Sequence, residues 1–251
     1  MVLNNSEIKI ARENGKIISL ILKKLLHLVH KKKTGDLIDE EAGKLIKEAG
    51  GTPAFKEVKN DKGKFYPANI CLSINEEVVH SLPFGKKIKS SDLVSLDLGF
   101  KRKGIIVDMA WTVYVDGKNK RIFNLLKANE EALFRACKKA KMGNYTLDIS
   151  KEIEETAKKY KVYPVKELTG HGVGKTLHEE PTIFNFAHEE ESKPLQKNMF
   201  LAIEPIFATD KYRLHFLDNW NIILEKGIVA SHFEFSVLVS EKRGEIITPS
   251  P

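Results

Sequence analysis

The sequence predicts one α+β domain with its sheet in the middle and helices on one face. Three observations lead there. Two pairs of helix-patterned segments are each followed by runs rich in apolar and β-branched residues. These blocks repeat at roughly 115 residues without obvious sequence identity, a hint of internal pseudo-symmetry. No linker-like stretch separates them, so residues 1–251 read as a single domain.

The first helical pattern opens at Ser6 and reaches Lys32, with Ile10, Ile17, Ile18, Ile21, Leu25 and Val29 near one face. Thr34-Gly35 breaks it, and Asp36 is expected to cap a second helix ending at Gly50-Gly51. Segments 70–74, 93–100 and 105–115 then read as strands. A helix over 118–141 is closed by Gly143, and another over 148–161 stops short of Pro164. Segments 199–207, 220–224 and 233–239 return to strand texture.

With 42% hydrophobic and 30% charged residues, a disordered chain is excluded. The two cysteines, Cys71 and Cys137, exclude a disulfide-built scaffold and suit a reducing compartment. The apolar run 17–22, interrupted by Ser19 and bounded by lysines, is far short of the roughly 20 residues a membrane span needs. No cleavable leader is visible. A cytoplasmic protein without membrane contact is therefore expected. The net charge of +7 is uneven, because residues 1–33 carry eight Lys/Arg against Glu7 and Glu13. That face is either a solvated helix surface or a footprint for an anionic partner such as RNA.

The residues that point to chemistry are acids inside apolar runs. Asp97 stands in Leu96-Asp97-Leu98 and Asp108 in Val107-Asp108-Met109. An ionised carboxylate buried without a partner is costly, so something must compensate. A hairpin centred between Arg102 and Lys103 would set the two aspartates directly opposite each other, with Cβ atoms about 4.5–5.5 Å apart. Like charges so placed call for a cation between them.

Glu204, in Ile203-Glu204-Pro205, and Glu234, in Phe233-Glu234-Phe235, repeat the anomaly. His171 lies in Gly170-His171-Gly172-Val173-Gly174, where glycines permit close backbone approach. This oxygen-rich set suits one or two divalent ions of the Mn, Fe or Co type rather than a thiolate-held zinc. His178, in Leu177-His178-Glu179-Glu180-Pro181, and His80, in Val79-His80-Ser81, are candidates for acid–base or substrate work. Taken singly, each is more often a surface or capping histidine.

In order, Ile74-Asn75-Glu76-Glu77-Val78-Val79-His80, Asp97, Asp108, Gly170-His171-Gly172-Val173-Gly174, His178-Glu179-Glu180-Pro181, Ile203-Glu204-Pro205 and Glu234 resemble the methionine aminopeptidases, most closely the short bacterial type I form. The resemblance runs from about Glu7 to Ile247. It implies the pita-bread fold, an antiparallel sheet covered by helices with pseudo-two-fold related halves. It also implies two divalent metal ions (Co, Mn, Fe or Zn). Asp97 and Asp108 would be ligands, Asp108 bridging; His171 and Glu204 would hold one metal, and Glu234 would bridge both. His178 would contact the scissile amide and His80 would position the substrate. Tyr66, Cys71, Leu177 and Trp220 match positions that line the methionine pocket.

The implied activity is removal of the N-terminal methionine from nascent proteins when the second residue is small. A metal-bridged hydroxide would attack the first peptide carbonyl. His178 would stabilise the oxyanion, and Glu204 would carry the proton to the leaving amine. The expected partners are nascent polypeptide N-termini and, through the basic N-terminal helix, the ribosome. A monomer is expected.

The chain departs from the family pattern in three places. Ser81 replaces a usual glycine, Leu177 a common aromatic, and Phe235-Ser236 a polar residue and threonine. Strand alternation would turn Phe235 away from the metals and Ser236 towards them, so tuning rather than loss is expected. An X-Pro aminopeptidase of the same fold, usually with a large N-terminal domain, and a metal-free binding module are the competing readings.

Overall fold

The computed structural model describes residues 1–60, 62–217 and 220–251. The first helix starts from Asn4 rather than Ser6. The Asn4 side chain accepts the amides of Ser6 and Glu7, each at 3.0 Å, and the Glu7 carboxylate accepts the Asn4 amide at 2.9 Å. The resulting helix α1 (Asn5–His30) buries Ile8, Ala11, Ile18, Leu22, Leu25 and Val29, whereas Ile10 and Ile17 are half-buried. Helix α2 (Gly35–Glu48) is capped by Thr34, whose hydroxyl accepts the Leu37 amide. Asp36, the expected cap, instead accepts the Gly85 amide and ties the helix to a loop.

The strands that follow are β1 (Thr52–Pro53), β2 (Cys71–Ile74), β3 (Glu77–Val79), β4 (Leu93–Arg102) and β5 (Ile105–Tyr114). The second block repeats the order. Helices α3 (Lys120–Lys139) and α4 (Thr146–Tyr160) precede β6 (Tyr163–Pro164), β7 (Thr169–Gly172), β8 (Glu179–Phe184), β9 (Phe200–Ile203) and β10 (Ile206–Ala208). The chain closes with β11 (Leu214–Phe216), β12 (Ile222–Leu224), β13 (Ala230–His232), β14 (Phe235–Leu238) and β15 (Glu245–Ile246). Helix α4 starts at Thr146, ahead of the expected Asp148, because the Asp148 carboxylate accepts the Tyr145 amide at 2.7 Å and completes the first turn.

Among the described residues every strand ladder is antiparallel. In the first block β4 pairs with β5 along one edge and with β1 and β2 along the other. In the second, the order is β15-β14-β9-β7-β8. A small sheet joins β3 of the first block to β12 of the second. Helix α1 lies on β4 and β5, α3 on β5, β9, β10 and β13, and α4 on β6 and β8. No helix among the described residues is long and apolar enough to cross a membrane.

The β4–β5 register corrects the expected placement of the aspartates. Asp97 pairs with Ala110, and Gly99 with Asp108, so the two acids are diagonal neighbours. The turn is the reason. Lys103 (φ 50) and Gly104 (φ 79) are both left-handed, the condition for a two-residue type I′ hairpin loop. Centring the loop there shifts each partner by two residues, which keeps both aspartates on one face of the sheet.

Candidate active site

The blocks meet along a seam between β5 and β14. Ser236 Oγ accepts the Asp108 amide at 2.8 Å and donates to the Asp108 carbonyl at 2.9 Å. Two residues along, the Glu234 amide donates to Ala110 O at 2.9 Å. Asp108 and Glu234, distant in sequence, are thereby held together. Phe235 points the other way, against Trp111 and Phe134. The alternation expected from sequence is what the strand adopts.

Glu204 sits where the expected 199–207 strand breaks into β9 and β10 at Glu204-Pro205. Ile203 pairs with Phe235 and Ile206 with His232, so one register runs through the break. It sets Glu204 and Glu234 at facing positions. His171 is delivered by β7, paired with Ala202 of β9. Glycines flank it because there is no room for more: a Cβ on Gly170 would lie 2.5 Å from Ala202 O, and one on Gly172 2.3 Å from Glu180 O.

Donor atoms of Asp108, His171 and Glu234 all lie within 4.8 Å of one another. His171 Nδ1 is 2.9 Å from Gly172 O; donating its proton there leaves the Nε2 lone pair facing the acids. Nε2 stands 3.4 Å from Glu204 Oε1. Two donors each about 2.1 Å from one ion, at angles between square and tetrahedral, stand about 3.0–3.4 Å apart.

The residues fit a divalent metal centre. Asp97, Asp108 and Glu234 are buried, and Glu204 is 12% exposed. Asp97 Oδ1 and Glu234 Oε1 are buried without a hydrogen-bond partner. Burial and mutual repulsion push the carboxyls of Asp97 and Glu234 well above the usual range. Burial, with repulsion from Glu204, raises Asp108 to about 8, and burial raises Glu204 to about 8. Such a cluster either takes up protons or holds cations. Cys71, paired with Asp97 across β2 and β4, is kept a thiol by burial and the Asp97 charge, which leaves an oxygen–nitrogen donor set.

All the site residues named from sequence line one pocket of about 480 Å³, mouth included. Tyr66, Cys71, Leu177 and Trp220 form its apolar part, together with Phe55 and Val58, which the sequence reading missed. Tyr66 stands edge-on to Trp220 with ring centroids 5.1 Å apart, and its single hydroxyl proton is shared between Ile70 O and Ser81 O, at 3.1 and 3.2 Å. His178 lies at the mouth, edge-on to His171 at 4.6 Å between ring centroids. Burial drives His80 down to about 4, so it is a neutral imidazole at physiological pH. Ser81 is accommodated without strain: it is buried and outside the left-handed region, so glycine is not required there.

The structure also adds a titratable residue that sequence reasoning passed over. His232 is buried, with Nε2 3.2 Å from Glu204 Oε2 and 3.9 Å from Glu234 Oε2. Its signal in the sequence was only that of a histidine in an apolar run two residues before Glu234.

The comparisons with known proteins agree with this geometry. The model of metallopeptidase family M24 matches residues 9–241. Methionine aminopeptidase 1 of Bacillus subtilis is 33% identical over 243 residues, 96% of this chain and 96% of the relative. The methionine aminopeptidase of Aquifex aeolicus is 36% identical over 240 residues, 92% of this chain and 93% of the relative. The crystal structure of methionine aminopeptidase from Thermotoga maritima matches with a TM-score of 0.90 at 32% identity, covering 100% of this chain and 99% of that one. The antiparallel, helix-covered pita-bread architecture implied by the motifs is therefore the fold observed, and the chain belongs to metallopeptidase family M24.

Proposed function

We propose that the protein is a metal-dependent aminopeptidase that releases the N-terminal methionine of nascent polypeptides whose second residue is small. One observation carries the reading: the apolar recess of Tyr66, Cys71, Leu177 and Trp220 and the buried acid cluster are walls of the same pocket. A side chain seated in the recess brings the peptide bond behind it to the acids.

Asp97, Asp108, His171, Glu204 and Glu234 would hold two divalent ions drawn from Co, Mn, Fe or Zn. When bound, such a pair supplies an activated water and polarises the scissile carbonyl. The rest falls to the chain's own side chains. His178, at the mouth, donates a hydrogen bond to the oxygen that gains charge. Glu204 carries the proton to the departing amine. The neutral imidazole of His80 positions the substrate. The Cys71 thiol and the Trp220 ring offer a soft, polarisable surface to a thioether.

Residues beyond the scissile bond leave through an adjoining groove that shares His80, His171, His178 and Glu204 with the pocket and runs past Thr169 and Thr182. Residues 1–251 act as one catalytic unit, as a monomer. The Lys/Arg residues of the N-terminal segment are all exposed, which suits contact with ribosomal RNA. That contact predicts cosedimentation with ribosomes at low salt, and its absence there would exclude it.

The test of the function is a peptide panel read by mass spectrometry after metal is stripped and Mn, Fe or Co returned. Release of methionine from Met-Ala-Ser, with Met-Lys-Ser, Leu-Ala-Ser and Ala-Pro-Ala spared, is expected. Cleavage of Ala-Pro-Ala instead would assign an X-Pro enzyme, and no cleavage with any metal a binding module.

A further inference from the structure

The geometry points to His232 as the positioning residue that fixes which oxygen of Glu204 is offered to the metal centre. The inference rests on the metal-site reading above and concerns a residue to which that reading gives no role. The two oxygens of the Glu204 carboxylate face different imidazoles. Oε1 lies 3.4 Å from His171 Nε2, and Oε2 lies 3.2 Å from His232 Nε2. His171 has already committed Nδ1 to Gly172 O, so its Nε2 presents a lone pair and belongs with Oε1 on a shared ion.

His232 Nε2 is differently placed. It is buried and has no hydrogen bond, standing off the line to Oε2 at hydrogen-bonding distance. A buried N–H left without an acceptor is costly, whereas one donating to a carboxylate is among the stronger hydrogen bonds. A small turn of the ring makes Nε2–H the donor to Oε2. That leaves Oε1 as the only Glu204 oxygen free to coordinate beside His171.

The backbone under His232 is built to hold this arrangement. Thr112 Oγ1 donates to His232 O at 2.7 Å and accepts from His232 N at 2.9 Å. Because a hydroxyl has one proton, Ser95 Oγ, 2.8 Å away, is then the donor to Thr112. Thr112 and Asp108 lie on the same face of β5. The strand that carries one metal ligand therefore also anchors the residue that orients another.

The experiment is cobalt(II) binding to the metal-free full-length chain, followed by calorimetry and by the visible absorption of bound cobalt. His232→Ala should weaken the tighter binding event by about 10–100-fold, the usual effect of losing a partner behind a ligand. His232→Gln, which keeps an amide donor at similar reach, should restore most of the affinity and leave the cobalt spectrum close to that of the parent. In a Glu204→Gln background, His232→Ala should have no further effect. Binding by His232→Ala within twofold of the parent would overturn the proposal. So would a His232→Gln variant as weak as His232→Ala with a changed cobalt spectrum, which would make His232 a direct ligand. If His232→Ala does not fold, His232→Leu, which fills the buried site without a donor, takes its place alone and in the Glu204→Gln background, with the same outcomes expected. Because binding is read without turnover, a parent that binds cobalt yet leaves Met-Ala-Ser intact would defeat the proposed function and leave this inference standing.

Discussion

Ser236 Oγ and the Asp108 peptide form a reciprocal pair of hydrogen bonds, at 2.8 Å to the amide and 2.9 Å to the carbonyl, across the seam between the two halves of the chain. The Ser236 amide is itself bound by Thr248 Oγ1 at 2.8 Å. A single hydroxyl thus satisfies both backbone polar groups of the buried Asp108.

Replacing it has a calculable consequence. Ser236→Ala leaves the Asp108 amide and carbonyl buried without partners, which should cost about 1–3 kcal/mol of stability. Urea denaturation should show a lower midpoint with an unchanged slope. Ser236→Thr keeps the hydroxyl and should stay within about 1 kcal/mol of the parent, because its added methyl is the only packing change.

The acid cluster separates stability from activity. Asp108→Asn removes one of several repelling buried carboxylates, so the metal-free protein should melt at the same temperature or higher at pH 8. The same change removes a charge from the proposed metal site, and kcat/KM on Met-Ala-Ser should fall by at least about 10²–10³. Near-normal turnover in this variant would show that Asp108 is not a ligand.

The pH dependence of the metal-free protein has a definite sign. Asp108 and Glu204 are held at about 8 when folded, against about 4 in an unfolded chain. The folded form keeps protons that the unfolded form has released, so their contribution is complete at low pH and is lost as pH rises towards 8. His171 and His232 are pushed down to about 3 by burial, so the unfolded form binds the extra protons and stability rises up to about pH 6.5. Above that the carboxylates act alone. Calorimetry in a chelator should show Tm falling by several degrees between pH 6.5 and 8, and added Mn(II) should remove the fall by replacing the protons.

Much of this site is legible in the sequence because ionisable residues in apolar runs are costly unless used. Asp97, Asp108, Glu204 and Glu234 declare themselves in that way. The register between Asp97 and Asp108 is harder to read, because Lys101-Arg102-Lys103-Gly104 has the look of one symmetric turn. Gly104, suited to the second left-handed position of a two-residue loop, contained the answer. Thr34 and Asp36 compete as caps in the sequence, since both residue types cap well and only the fold shows Asp36 engaged by Gly85. His232 was not legible at all. Its relation to Glu204 exists only because β10 and β13 pair Ile206 with His232, a contact that no local spacing encodes. Phe55 and Val58 reach the pocket from a short 3₁₀ turn and the residue after it, which likewise carry no periodic signal.

The pocket's width is set partly by a missing side chain. A Cβ on Gly99 would lie 2.9 Å from Ala54 Cβ, 3.1 Å from Phe55 Cε1 and 3.2 Å from Leu177 Cδ1. Gly99→Ala should therefore crowd the recess and raise KM for Met-Ala-Ser about tenfold, within the range of about 1–3 kcal/mol for overpacking. Steady-state kinetics should find kcat altered by only a few-fold. An unchanged KM would mean that methionine does not occupy this recess.

The most direct test joins metal and methionine in one titration. Mn(II) is added stepwise to the metal-free chain, with binding followed by calorimetry and methionine release from Met-Ala-Ser followed by mass spectrometry on the same samples. The account predicts no release without metal and release that rises with occupancy of the acid cluster, with Asp108→Asn silent throughout. Full release from the chelated protein, or saturating metal binding without any release, would contradict it.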